Sequence, residues 1–80
     1  MFDIEIRGHI HQLAREEEAL WREASVGALA PAELVRLKEI KVELDQEWDL
    51  LHQREALRNA GLDPDQARVR AKDTVERYQQ

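Results

Sequence analysis

The sequence predicts an all-α chain, an antiparallel helical hairpin followed by a short C-terminal helical segment, with two hairpins expected to pack into a four-helix bundle. Three observations carry this reading. Apolar residues recur every three or four positions through two long stretches, the period of an amphipathic helix. Gly27 with Pro31, and Gly61 with Pro64, punctuate the chain where one helix would stop and the next begin. No stretch alternates apolar and polar residues for long enough to make a strand. With 80 residues, 42% of them hydrophobic, 36% charged and 5% aromatic, the chain has room for a single domain over residues 1–80.

The first helix is expected over residues 3–25. Ile6, Ile10, Leu13, Leu20 and Ala24 fall on one stripe if Glu17 is counted as its polar member, and Trp21 and Ala14 widen that stripe on one flank. Asp3 and Glu5 sit where the helix dipole favours negative charge. Residues 25–31 break the pattern. A second helix is expected over 31–60, with Pro31 in its first turn and Ala30 as a poor N-cap that Glu33 partly compensates. Its stripe is Leu34, Leu37, Ile40, Leu44, Trp48 and Leu51, broadened by Val35, Leu50 and Leu57. Gly61 supplies the stop. Asp63, Pro64 and Gln66 then restart a helical segment over 63–79, either continuous, with Ala67, Ala71, Val75 and Tyr78 as a thin apolar stripe, or broken before Asp73.

Charge and composition narrow the function classes. Twelve Lys and Arg against seventeen Asp and Glu leave −5, which disfavours a nucleic-acid or anionic-membrane binder, because both need a concentrated positive field. The acidity lies in the hairpin: residues 1–26 carry six acids and three bases, 27–61 seven and five, and 62–80 four of each. Absence of cysteine removes disulfides, thiolate metal sites and a cysteine nucleophile. Without a basic leader before an apolar stretch, and without an apolar run approaching about 18 residues, a cytoplasmic location is expected.

No residue pattern for catalysis emerges, and neither a cofactor nor a metal is expected. Helical di-metal sites need inward Glu residues and Glu-x-x-His pairs on facing helices; the nearest fragments here are Asp49-x-x-His52, and Glu5 one turn before His9. The single serine, Ser25, has no histidine near it in sequence, and Gly8, Gly27 and Gly61 are too dispersed for a phosphate loop. Arg68, Arg70 and Lys72 are expected to pair within the chain. Glu17 on the apolar stripe is expected to form a buried polar pair with Lys41 across the hairpin seam, fixing alignment. In the dense stretch Leu44 to Arg54, helical spacing directs Leu44, Trp48 and Leu51 inward and leaves Asp45, Asp49, Gln53 and Arg54 outward or flanking.

The residues Ile10-His11-x-Leu13 with Glu16-Glu17, the run Leu44-Asp45-Gln46-x-Trp48-Asp49-Leu50-Leu51-x-Gln53-Arg54, then Arg58-x-x-Gly61-x-Asp63-Pro64, and finally Val69-Arg70 and Val75-Glu76-x-Tyr78 form a combined pattern over nearly the whole chain. It resembles a small actinobacterial family of uncharacterised helical proteins, domain of unknown function 2630. The chain departs from that pattern where Ser tends to precede Pro31 and where prolines tend to follow Arg70. The resemblance implies no activity. A weaker likeness, Leu37-x-x-Ile40-x-x-x-Leu44-Asp45 with Leu50-Leu51-x-x-Arg54 and Asp63-Pro64, echoes the all-helical chorismate mutases. Their chemistry needs a downstream Lys and a further long helix, whereas Asp65 stands near that Lys position and fifteen residues follow it.

The expected function is therefore a non-enzymatic protein-interaction or structural module acting as a homodimer, with an unidentified protein as a further partner. Its core and interface are assigned to Ile6, Ile10, Leu13, Leu20, Trp21, Leu37, Ile40, Leu44, Trp48 and Leu51. A chain this small has little stability margin as a monomer, and self-association supplies one remedy. The competing arrangement folds Val69, Val75 and Tyr78 back over the same stripe as a three-helix monomer. Alternatives in function are a small-ligand or metal-binding bundle and, behind that, a chorismate-mutase-like enzyme.

Overall fold

A computed structural model describes the chain from Phe2 to Tyr78, and its side chains from Phe2 to Val75. The elements run α1 (Asp3–Val26), α2 (Pro31–Asn59), a 3-10 turn (Pro64–Gln66) and α3 (Lys72–Tyr78). The helix ends follow local chemistry. Phe2 and Ala30 offer no capping side chain, so the third helical residue reaches back instead: Glu5 Oε1 accepts from the Phe2 N–H at 3.0 Å, and Glu33 Oε1 from the Ala30 N–H at 2.9 Å. Gly61 takes the left-handed conformation, φ 74°, just past the end of α2. Asp63 Oδ1 then accepts from the Asp65 N–H at 2.9 Å and opens the 3-10 turn.

The two long helices form the expected antiparallel hairpin. Two adjoining clusters fill its seam. Leu13, Leu20 and Ile40 pack near the loop end; Ile6, Ile10, Leu50 and Leu51 pack towards the free end, with Leu44 and Ala67 against them. Leu37 and Leu44 are only half-buried, at the edge of the first cluster. Ile6 and Ile40 are fully buried.

Residues 62–75 are not one helix. The 3-10 turn is followed by an irregular stretch over 67–71 before α3 begins at Lys72. This tail folds back onto its own α2, where Val75 is buried; the Tyr78 side chain expected on its stripe lies outside the described residues. It does not cover the stripe assigned to it. At 100° per residue, Trp48 lies about 80° to one side of Ile40, Leu50 about 80° to the other, and Asp49 opposite. The tail occupies the Leu50 side, so α2 has two packed neighbours and its buried arc is wider and turned relative to a single stripe. Asp49 and Arg54, expected outward or flanking, are buried, while Trp48, expected inward, is 41% exposed. Trp21 and Val69 are likewise exposed.

Candidate functional site

The tail is held by a polar strip on α2, with Gln46, Asp49 and Gln53 at successive turns and Arg54 beside Gln53. Gln46 Nε2 donates to the Arg70 carbonyl at 3.2 Å, and Gln53 Nε2 donates both to the Arg68 carbonyl at 2.7 Å and to Asp49 Oδ2 at 2.9 Å. Arg70 grips Asp49 with two guanidinium nitrogens, Nε to Oδ2 at 2.8 Å and Nη2 to Oδ1. Burial pushes the Asp49 carboxyl up, and the bonds from Arg70 and Gln53 outweigh it and leave it below its ordinary value. These irregular tail carbonyls have no helical partners, which is why an amide-bearing strip on α2 is needed to satisfy them.

Arg54 ties three parts of the chain together. Its Nε donates to Asp3 Oδ1 at 2.6 Å, and its Nη1 donates to Asp65 Oδ1 at 2.9 Å and to the Pro64 carbonyl at 3.2 Å. Asp3 also accepts from Arg58 Nη2 at 2.6 Å. The Arg58 bond first and the Arg54 bond second hold the Asp3 carboxyl down at about 2. Asp65 is lowered by its Arg54 bond. A lowered carboxyl gives stability that is fully present above its ordinary value near 4 and is lost as pH falls through the folded-state value. Acid titration followed by circular dichroism is therefore expected to show stability falling between about pH 4 and pH 2. Asp3→Asn is expected to flatten that slope and cost about 1 to 2 kcal/mol at neutral pH.

The buried pair expected between Glu17 and Lys41 is not formed. Lys41 is exposed and Glu17 only half-buried, and among the described residues neither has an ion-pair partner. A lysine at the seam's edge reaches water more cheaply than it gives up hydration. The cross-helix pair in this region is instead Arg36 with Glu16, a two-pronged contact at 2.7 and 2.8 Å that lowers the Glu16 carboxyl, with Glu39 and Glu43 also near Arg36. A double-mutant cycle is expected to give no coupling for Glu17 with Lys41, and a small favourable coupling, weakened by salt, for Glu16 with Arg36.

Candidate chemistry is scattered. His9 Nδ1 lies 3.1 Å from Glu47 Oε1, and the other carboxylate oxygen of Glu47 is buried with no hydrogen-bond partner among the described residues. Such a His–Glu pair orients a base, but the hydroxyl it would serve is sixteen residues along α1, about 24 Å away. There Ser25 Oγ donates to the Arg22 carbonyl at 2.7 Å. His52 leans on Trp48, ring centroids 6.1 Å apart, and Asp49 is committed to Arg70. Among the described residues no three His, Asp or Glu side chains converge to hold a metal ion, and no helix is long and apolar enough to cross a membrane.

Among the described residues nothing covers the hairpin face opposite the tail. A groove of about 320 Å³ runs along it, lined by Arg7, Ile10, His11, Ala14 and Trp48. Trp21 lies one heptad beyond Ala14 on the same flank of α1, and Leu34 lies two heptads before Trp48 on α2. Trp21 is 57% exposed and Leu34 48%. Of the residues assigned to core and interface, Ile6, Ile10, Leu13, Leu20, Ile40 and Leu51 are therefore in the monomer's own core, and Trp21 and Trp48 stand outside it. The tail clamp was not legible as a site, although three of its members, Gln46, Asp49 and Gln53, fall on one side of α2 at helical spacing; that polar row beside the apolar stripe was the available signal.

A family model described as protein of unknown function (DUF2630) matches residues 2–80. The chain is similar to uncharacterized proteins of Mycobacterium tuberculosis and Mycobacterium bovis, each 47% identical over 77 residues that span 95% of this chain and 88% of the relative. No solved structure matches.

Proposed function

We infer that this chain, which belongs to the DUF2630 family of proteins of unknown function, is a non-enzymatic helical interaction module that works as a homodimer. The observation carrying this reading is the asymmetry of the hairpin: the tail covers one face, while Trp21, Trp48, Leu34 and Ala14 are left on the other. Large exposed aromatic groups on one face mark an interaction surface rather than a solvent face.

Surface area supports a second copy as the occupant. The chain exposes 5910 Å² and measures 50 × 25 × 17 Å. A compact monomer of this mass would expose about 5,000 Å². The surplus of about 900 Å² matches the roughly 800 Å² that each partner contributes to a standard interface. Two hairpins joined through this face would make a four-helix bundle with both tails outside, each on its own α2.

Light scattering at micromolar concentration tests the reading. A mass of two chains that falls towards one on dilution, and falls further with Trp48→Ala, is the expected result; a single-chain mass indifferent to Trp48→Ala would overturn it. A ligand- or metal-binding bundle would require converging polar groups in the groove, where Arg7 and His11 are the polar members.

A further inference from the structure

We propose that the second copy docks with the two-fold axis along the length of the hairpin, so that α1 of each copy lies on α2 of the other and Glu18 of each pairs with Lys41 of the other. This rests on the self-association reading above and adds to it the arrangement of the two copies.

The face has an order that the geometry fixes. Trp48 shares a groove with Arg7, Ile10, His11 and Ala14, which sets it beside the middle of that stretch of α1. The helices are antiparallel, so stepping back seven residues from Trp48 to Lys41 steps forward about seven along α1, to Glu17 and Glu18. The contacts of His9 with Glu47 and of Asp3 with Arg54 give nearly the same alignment. In angle, Glu18 follows Arg7 by eleven residues and Lys41 precedes Trp48 by seven, and each spacing returns a side chain to within about 20° of the first. Glu18 and Lys41 therefore share one level of the uncovered face, and both are exposed.

That face thus carries three layers in sequence: Ile10, Ala14 and Trp48; then Glu18 and Lys41; then Trp21 and Leu34. A two-fold axis along the hairpin brings each layer onto its own copy. Trp48 meets the Arg7 and Ala14 side of the other copy, Trp21 meets Leu34, and Glu18 meets Lys41. An axis across the hairpin, through the charged layer, would instead set Glu18 on Glu18 and Lys41 on Lys41, and like charges at an interface oppose association. The charges are available for this use. Among the described residues Lys41 has no ion pair within the chain, and Glu18 has only the i,i+4 contact with Arg22 at 3.6 Å between two exposed side chains. For a chain of net charge −5, a paired interface layer also avoids adding to the repulsion between copies.

Sedimentation equilibrium on the full chain decides the matter, using the wild type, Glu18→Lys, Lys41→Glu and the double exchange. Both positions are exposed, and unchanged far-UV circular dichroism checks that each variant keeps its helices. The expected result is a wild-type dimer, a dissociation constant raised by about tenfold in each single variant because two symmetry-related pairs turn repulsive, and recovery to within about threefold in the double exchange. A wild-type dimer that the single variants leave unchanged, or that the double exchange fails to restore, overturns this arrangement while self-association stands. A wild type with the mass of one chain overturns both.

Discussion

Replacing Ile40 by alanine is expected to cost about 3 to 4 kcal/mol of stability, the loss for truncating a fully buried aliphatic side chain that cannot be refilled. Ile40 is wholly enclosed between Leu13 and Leu20, and it is the buried member that α2 contributes to that cluster. An 80-residue chain holds about 4 to 12 kcal/mol in all, so the loss is a large share of the whole. Thermal melting by circular dichroism measures it. If two copies associate, the melting midpoint of Ile40→Ala rises with protein concentration, because assembly adds to the stability of each folded chain by mass action. A loss below about 1 kcal/mol would mean that the loop end of the seam closes up around the smaller residue.

Asp49→Ala is expected to cost about 2 to 3 kcal/mol, and to do so locally. Asp49 is only 9% exposed and is held by Arg70 from the tail and by Gln53 from the next turn of α2. Removing a buried carboxylate takes away the bonds and leaves the donors facing a shortened side chain. Beyond these and the bonds from Gln46, Gln53 and Arg54 to the tail, apolar packing adds little: of the tail's apolar residues Leu62 and Val69 are exposed, and Ala67 and Val75 make the packing. Hydrogen exchange is therefore expected to show protection lost over residues 64–75 while α1 and the middle of α2 keep theirs. Asp49→Asn, which retains an acceptor, is expected to fall between the wild type and Asp49→Ala. Uniform loss of protection along the whole chain would mean that tail and hairpin fold as one unit.

The two effects separate the forces that hold the molecule. Apolar burial closes the hairpin, and charge-assisted hydrogen bonds seat the tail. The uncovered face draws on neither. Its tryptophans are about half exposed and stand outside the chain's own core.

The residues that set helix limits act within a few positions of themselves, and they are readable in one dimension. Pro31 starts α2, Gly61 ends it by accepting a left-handed backbone, and Asp63 caps the turn that follows. The apolar period gave α1 and α2 and their antiparallel pairing, and with them Ile6, Ile10, Leu13, Leu20, Ile40 and Leu51 as core. Propensity leaves open whether the tail is continuous or breaks before Asp73; the structure breaks it over residues 67–71, and contacts with α2 decide this: Gln46 and Gln53 take up carbonyls that a helix would have used internally.

What periodicity does not contain is the number of neighbours a helix has. A single stripe on α2 points Trp48 inward and Asp49 outward; a second neighbour on the Leu50 side reverses both. The polar partners show the same limit. Asp3 and Arg54 are 51 residues apart and Asp49 and Arg70 are 21 apart, so nothing local links them, whereas Glu17 and Lys41, matched by simple register, are not paired. Local backbone chemistry and the apolar period determine which segments are helical and that they fold into a hairpin. Where the tail lies, which polar groups it buries and which face it leaves open are decided by packing between segments, because a side chain's burial depends on everything around it and not only on its own helix.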